Sequence, residues 1–127
     1  MAWIQNQFGE VLLLKQSQGN KFWTLPGGKM RMRESLVGAL KREVMEETGL
    51  KIHSIVLSHV FDRSAKGGLT FLFRAQIKGR DDTLFPRLNE IETAKFSASM
   101  LKPSSPSLQY FWKRVHGLAS DSHFRAN

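Results

Sequence analysis

The stretch from Glu34 to Thr48 constrains this chain more than any other. Val37, Leu40 and Val44 recur at helical spacing, and Gly49 stands where a helix C-terminal cap is expected. Glu43, Glu46 and Glu47 stand at i, i+3 and i+4, so they project from one side. At about 100° per residue, that side adjoins the Val37/Leu40/Val44 stripe without coinciding with it. Ala39 falls in the carboxylate sector one turn back, where its small side chain leaves room for a ligand. The chain therefore has to lay one amphipathic helix on a core while keeping an acidic edge beside it.

Three carboxylates this close repel one another, and an ordinary helix would interleave them with lysines. The repulsion is relieved by divalent cations among them, or by a proton kept on one of them. All-oxygen ligation favours hard ions, Mg²⁺ or Mn²⁺. On these three glutamates alone, a solvated acidic patch on a surface helix is the favoured reading.

The rest of the chain supplies strands. Val11 to Leu14 follows a Gly9-Glu10 turn and reads as a buried strand, and Lys21 to Leu25 reads as a short second one before Pro26-Gly27-Gly28. Ile52 to Phe61 and Leu69 to Ile77 are apolar runs joined through Lys66-Gly67-Gly68, which predicts a hairpin. Ile91 to Phe96 reads as a last short strand, and Trp3-Ile4 as the stub of another. Leu108, Phe111, Trp112 and Val115 have helical spacing, before Gly117. Strands and helices alternate irregularly, which predicts an α/β fold with a mixed sheet flanked by helices.

The 127 residues suit a single domain, read here as 1–118, with 119–127 as a flexible tail. There are no cysteines, so disulfides, thiolate zinc sites and a cysteine nucleophile are excluded. No apolar run approaches the roughly 18 residues of a membrane span. The N-terminal segment shows no leader pattern, and a cytoplasmic protein without a membrane partner is expected. The formal net charge of +8 invites a polyanionic partner, although a generally basic surface explains it as well.

The spacing within the acidic stretch is more specific. Gly28-x5-Glu34-x7-Arg42-Glu43-Val44-x-Glu46-Glu47-x-Gly49-Leu50 resembles the signature of the Nudix hydrolases at every fixed position. Leu25-Pro26-Gly27-Gly28 and the Gly9 to Leu13 turn and strand resemble the usual lead-in. The resemblance implies a Nudix fold: an α/β/α sandwich carrying a loop-helix-loop catalytic segment. It also implies hydrolysis of a phosphoanhydride in a nucleoside diphosphate linked to another moiety. By the same resemblance, Glu43, Glu46 and Glu47 are metal ligands, and Glu43 helps deprotonate the attacking water. The Gly28 carbonyl completes a metal site, Glu34 and Arg42 form the supporting ion pair, and Gly49 permits the turn out.

A further metal-binding or base glutamate often comes from a late loop in that family. Glu90 is preferred here over Glu92, because a Glu-Ile step before a short strand ending in an aromatic matches the pattern. Many members carry an acidic residue and then glycine just before the Glu34 position. Arg31 and Arg33 stand there instead, and with Lys29 they make the loop basic beside the expected phosphate site. Those three are candidates for gripping phosphates, and Trp23, Phe22, Phe61, Phe71 and Phe73 for stacking on a base, although strand aromatics are more often core.

The substrate is less sharply marked. Ala65 stands sixteen residues past Gly49, where ADP-ribose hydrolysing members tend to have proline, and Tyr110 is the one tyrosine, which weakens a diadenosine polyphosphate reading. A nucleoside triphosphate or related nucleotide is the default. The alternatives are an RNA 5′-end pyrophosphohydrolase, which the basic excess would serve, and a non-catalytic nucleotide- or RNA-binding module. Oligomeric state is not legible.

Overall fold

The structure is a computed structural model describing residues 1–87 and 89–116. Its strands are β1 (Ala2–Ile4), β2 (Val11–Gln16), β3 (Trp23–Thr24), β4 (Ile52–Arg63), β5 (Gly68–Ile77) and β6 (Ile91–Ser97). The helices are α1 (Leu36–Thr48) and α2 (Pro106–Phe111), the second running into a π-helical turn over Trp112–His116. The expected tail at 119–127 and the expected stop at Gly117 lie outside the described residues.

The strands form two three-stranded sheets rather than one continuous sheet. The first has the order β1-β5-β4 and is mixed, because β1 runs parallel to β5 while β4 and β5 form the antiparallel hairpin. The second has the order β3-β2-β6 and is antiparallel. A single bridge between Gln5 and Val11 ties the two together beside β1.

Strand alternation sorts the apolar side chains onto two faces. Ala2, Ile4, Leu12, Leu14, Phe73 and Ala75 meet Leu40 and Val44 of α1, whereas Trp3, Val11, Leu13 and Leu72 meet Leu108 and Phe111 of α2. Helix, sheets and helix thus stack as an α/β/α sandwich, the α/β class expected from the sequence.

Several boundaries shift for local reasons. α1 begins at Leu36, not Glu34, because the Ser35 hydroxyl accepts the Gly38 N–H at 2.9 Å and caps the helix. Gly49 closes it in the left-handed region at φ 78°, its N–H donating to Met45 O at 2.8 Å. Val37, expected on the buried stripe, lies in the first turn and is 37% exposed, while Glu47, in the last turn, is buried.

Candidate active site

The loop before α1 and the exposed edge of α1 meet at Arg42. Its guanidinium donates Nε to Glu34 Oε2 at 2.7 Å and Nη2 to Glu34 Oε1 at 2.9 Å, a two-pronged pair. Nη2 also reaches the Lys29 carbonyl at 3.1 Å, and Glu34 Oε1 accepts the Arg31 N–H at 2.7 Å. One arginine therefore fastens the basic loop to the helix. The remaining nitrogen, Nη1, holds Glu43 Oε1 at 2.8 Å and Glu46 Oε2 at 3.2 Å, fixing two of the three carboxylates along one edge.

Gly28 closes the other side of that edge. A Cβ added there would lie 2.6 Å from Glu43 Cδ and 2.7 Å from Glu43 Oε2, so no side chain fits between the loop backbone and the carboxylate. Glu47 faces inward, and its Oε1 accepts the Gly27 N–H at 2.8 Å. Burial pushes the Glu47 carboxyl up to about 7, against the Gly27 hydrogen bond and with further help from the charges of Glu43 and Glu90. Arg42 and Arg31 hold Glu34 at about 2.

The residues fit a hard divalent cation in donor chemistry: oxygen-only side chains on one rigid helix, a close backbone approach at Gly28, and a carboxyl raised first by burial and then by the neighbouring charges of Glu43 and Glu90. Among the described residues no three acidic or histidine side chains are gathered tightly enough to hold a metal as they stand. Glu43 and Glu46 each give an oxygen to Arg42, and Glu47 gives one to the Gly27 N–H.

The NUDIX domain family model matches residues 1–113. The chain belongs to the Nudix family. It is 35% identical over 81 residues to an 8-oxo-dGDP phosphatase from Mus musculus, covering 62% of this chain and 25% of that protein. It is 34% identical over 74 residues to an 8-oxo-dGTP diphosphatase from Buchnera aphidicola, covering 56% of this chain and 60% of that protein. It thus spans a quarter to three fifths of the length of these two relatives. In fold it is similar to a MutT Nudix hydrolase from Burkholderia pseudomallei, with a TM-score of 0.73 and 21% identity over 90% of this chain and 95% of that one.

Around this Nudix helix the other expected residues fall unevenly. Lys29, Arg31 and Arg33 are all exposed on the loop, with Arg33 in the left-handed region at φ 68°. Arg31 Nη2 lies 3.6 Å from Glu46 Oε1. Glu90 is exposed at the far end of the loop after β5, whereas Glu92 pairs with Lys15 at 3.3 Å on the neighbouring strands. Trp23 does not join the site as a base-stacking side chain would. It is 9% exposed, packed with Leu25 and Leu108 in the cluster under α2, because its strand turns it toward that face.

Arg87 was not singled out by sequence and lies close to the acidic edge. Its Nη2 is 3.8 Å from Glu46 Oε2 and its Nη1 3.6 Å from Glu90 Oε1, so it links the helix edge to the late loop. The i, i+3 spacing of Arg87 and Glu90 was visible in the sequence, but the approach to Glu46 depends on how the loop folds back.

Proposed function

We propose that this Nudix chain is a divalent-metal-dependent pyrophosphohydrolase acting on a nucleoside triphosphate or a closely related nucleotide. The observation that carries the reading is the arrangement of Glu43, Glu46 and Glu47 along one side of one helix, the first two clamped through Arg42 to Glu34. In this reading Glu43, Glu46, Glu47 and the Gly28 carbonyl hold Mg²⁺, or Mn²⁺, with Glu90 as an added ligand from the late loop. The metal, when bound, neutralises phosphate oxygens and acidifies water for in-line attack.

The chain's own groups then have separate tasks. Glu43 Oε2, the oxygen Arg42 leaves unengaged, accepts the proton of the attacking water. Arg42 and Glu34 keep the helix and loop in register, so the carboxylates are positioned before substrate arrives. Lys29, Arg31 and Arg33 offer positive charge to the outer phosphates. The names of the two relatives, both acting on 8-oxoguanine deoxynucleotides, make guanine nucleotides the first compounds to try.

The experiment is a hydrolysis panel with Mg²⁺: nucleoside di- and triphosphates with their 8-oxoguanine forms, ADP-ribose, dinucleoside polyphosphates and 5′-triphosphate RNA, following phosphate and pyrophosphate. Turnover of a free nucleotide supports the reading. Preference for the RNA end would favour the basic loop as a clamp on a longer chain. No turnover of any compound would leave a binding module and overturn the enzyme.

A further inference from the structure

A cavity of about 450 Å³ lies between the first turns of α1 and the start of β5, bordered by Gly27 and Gly28. Its inner wall is buried and apolar, with Ala39 3%, Leu40 5% and Phe73 7% exposed. Its rim is apolar and open, with Met30 49%, Leu36 41% and Leu69 53% exposed. Exposed large apolar side chains ringing an apolar hollow leave surface in water that a ligand would cover.

We propose that this cavity receives the base of the nucleotide substrate, an inference that rests on the hydrolase reading above. Continuity with the acidic edge supports it: Gly28 lines the cavity, and the Glu43 carboxylate occupies the space a side chain at Gly28 would take. A molecule reaching from one to the other has an apolar flat end and an anionic end a few ångströms apart, as a nucleotide does. Lys29 also lines the cavity and offers a cation where the two ends join. The volume lies in the range of roughly 300–1,000 Å³ that takes small ligands. Lys29 and Thr70 are the two polar side chains in the lining, so the base is held by apolar contact more than by a pattern of hydrogen bonds. Purines of different substitution are therefore accepted with similar affinity. Ala39 forms part of the inner wall, and a larger side chain at that helix position would project into the cavity and narrow it.

The test is calorimetric titration, with Mg²⁺ present, of a non-hydrolysable α,β-methylene dGTP and of the corresponding deoxyribose triphosphate that lacks a base. The wild-type chain is expected to prefer the base-bearing compound by roughly tenfold, the scale of one base packed on apolar and aromatic groups. Ala39→Leu, which narrows the cavity from its inner wall, and Leu69→Asp, which puts a charge on its exposed rim, are each expected to abolish that preference while still binding the abasic triphosphate. Leu69→Asp lies at the surface, so it remains informative if Ala39→Leu disturbs folding. A preference kept in Leu69→Asp and in folded Ala39→Leu would place the base elsewhere and overturn the proposal. Equal binding of both compounds by wild type would overturn it while leaving the hydrolase reading intact, whereas binding of neither would sink both.

Discussion

Arg42 grips both carboxylate oxygens of Glu34, at 2.7 and 2.9 Å, across the junction between the basic loop and α1. The guanidinium, and then the Arg31 N–H, hold the Glu34 carboxyl down to about 2. A depressed carboxylate contributes stability that is complete above its ordinary value and is lost as pH falls through the folded value. Glu34 should therefore titrate near pH 2 by NMR, and Glu34→Gln should flatten the fall in Tm between about pH 4.5 and 2. A midpoint near 4.5 would mean the pair does not form. Arg42→Lys cannot reproduce the fork and is expected to lower kcat by roughly ten- to a hundredfold.

Gly28→Ala puts a methyl group 2.6 Å from Glu43 Cδ, so the carboxylate or the loop has to move. Displacing a reacting group by about 1 Å is expected to lower kcat by roughly a hundredfold with little change in Tm. Steady-state rates and thermal unfolding, measured together, check both halves. Unchanged kcat would show that this contact does not position Glu43.

Glu47 is a case where function and stability oppose each other. Burial raises its carboxyl to about 7, so the folded chain keeps a proton that the unfolded chain releases from about 4.5 upward. Stability without metal accordingly falls as pH rises across that window and stays lower above it. Glu47→Gln keeps an acceptor for the Gly27 N–H and removes the charge. In chelator at pH 7.5 it is expected to be more stable by about 1–3 kcal/mol, and the difference should vanish near pH 4. Thermal unfolding across that range measures it, and equal Tm values at pH 7.5 would contradict it.

Arg87 Nη2 lies 3.8 Å from Glu46 Oε2, so on the proposed reading it would compete with a cation for that carboxylate. Arg87→Ala is expected to tighten Mn²⁺ binding up to about fivefold, the scale of a partly exposed ion pair, as read by electron paramagnetic resonance. Weaker Mn²⁺ binding in the variant would mean that Arg87 orders the site instead of opposing the metal.

Much of this was legible because periodicity and caps are local. The apolar runs around Lys66-Gly67-Gly68 became the β4–β5 hairpin, and Gly49 became the left-handed cap. The carboxylate edge was legible because i, i+3 and i+4 spacing fixes direction on any helix. What sequence left open depends on contacts between distant segments. Trp23 has the composition of a stacking residue, but its strand packs it under α2. Arg87 stands 41 residues from Glu46 and meets it only through the loop fold. The division into two sheets follows from β1 pairing in parallel with β5, a long-range choice without a local signal. Val37 is exposed and Glu47 buried because position along α1, as well as angle around it, decides what its neighbours cover.

The most direct measurement is dGTP hydrolysis with Mg²⁺ by the wild-type chain and by Glu43→Gln and Glu46→Gln, each checked for unchanged circular dichroism. The account predicts that chelator abolishes wild-type turnover and that each substitution lowers kcat by about a hundredfold or more. Full activity in both variants, or turnover that persists in chelator, would contradict a metal-dependent reaction centre on this helix edge.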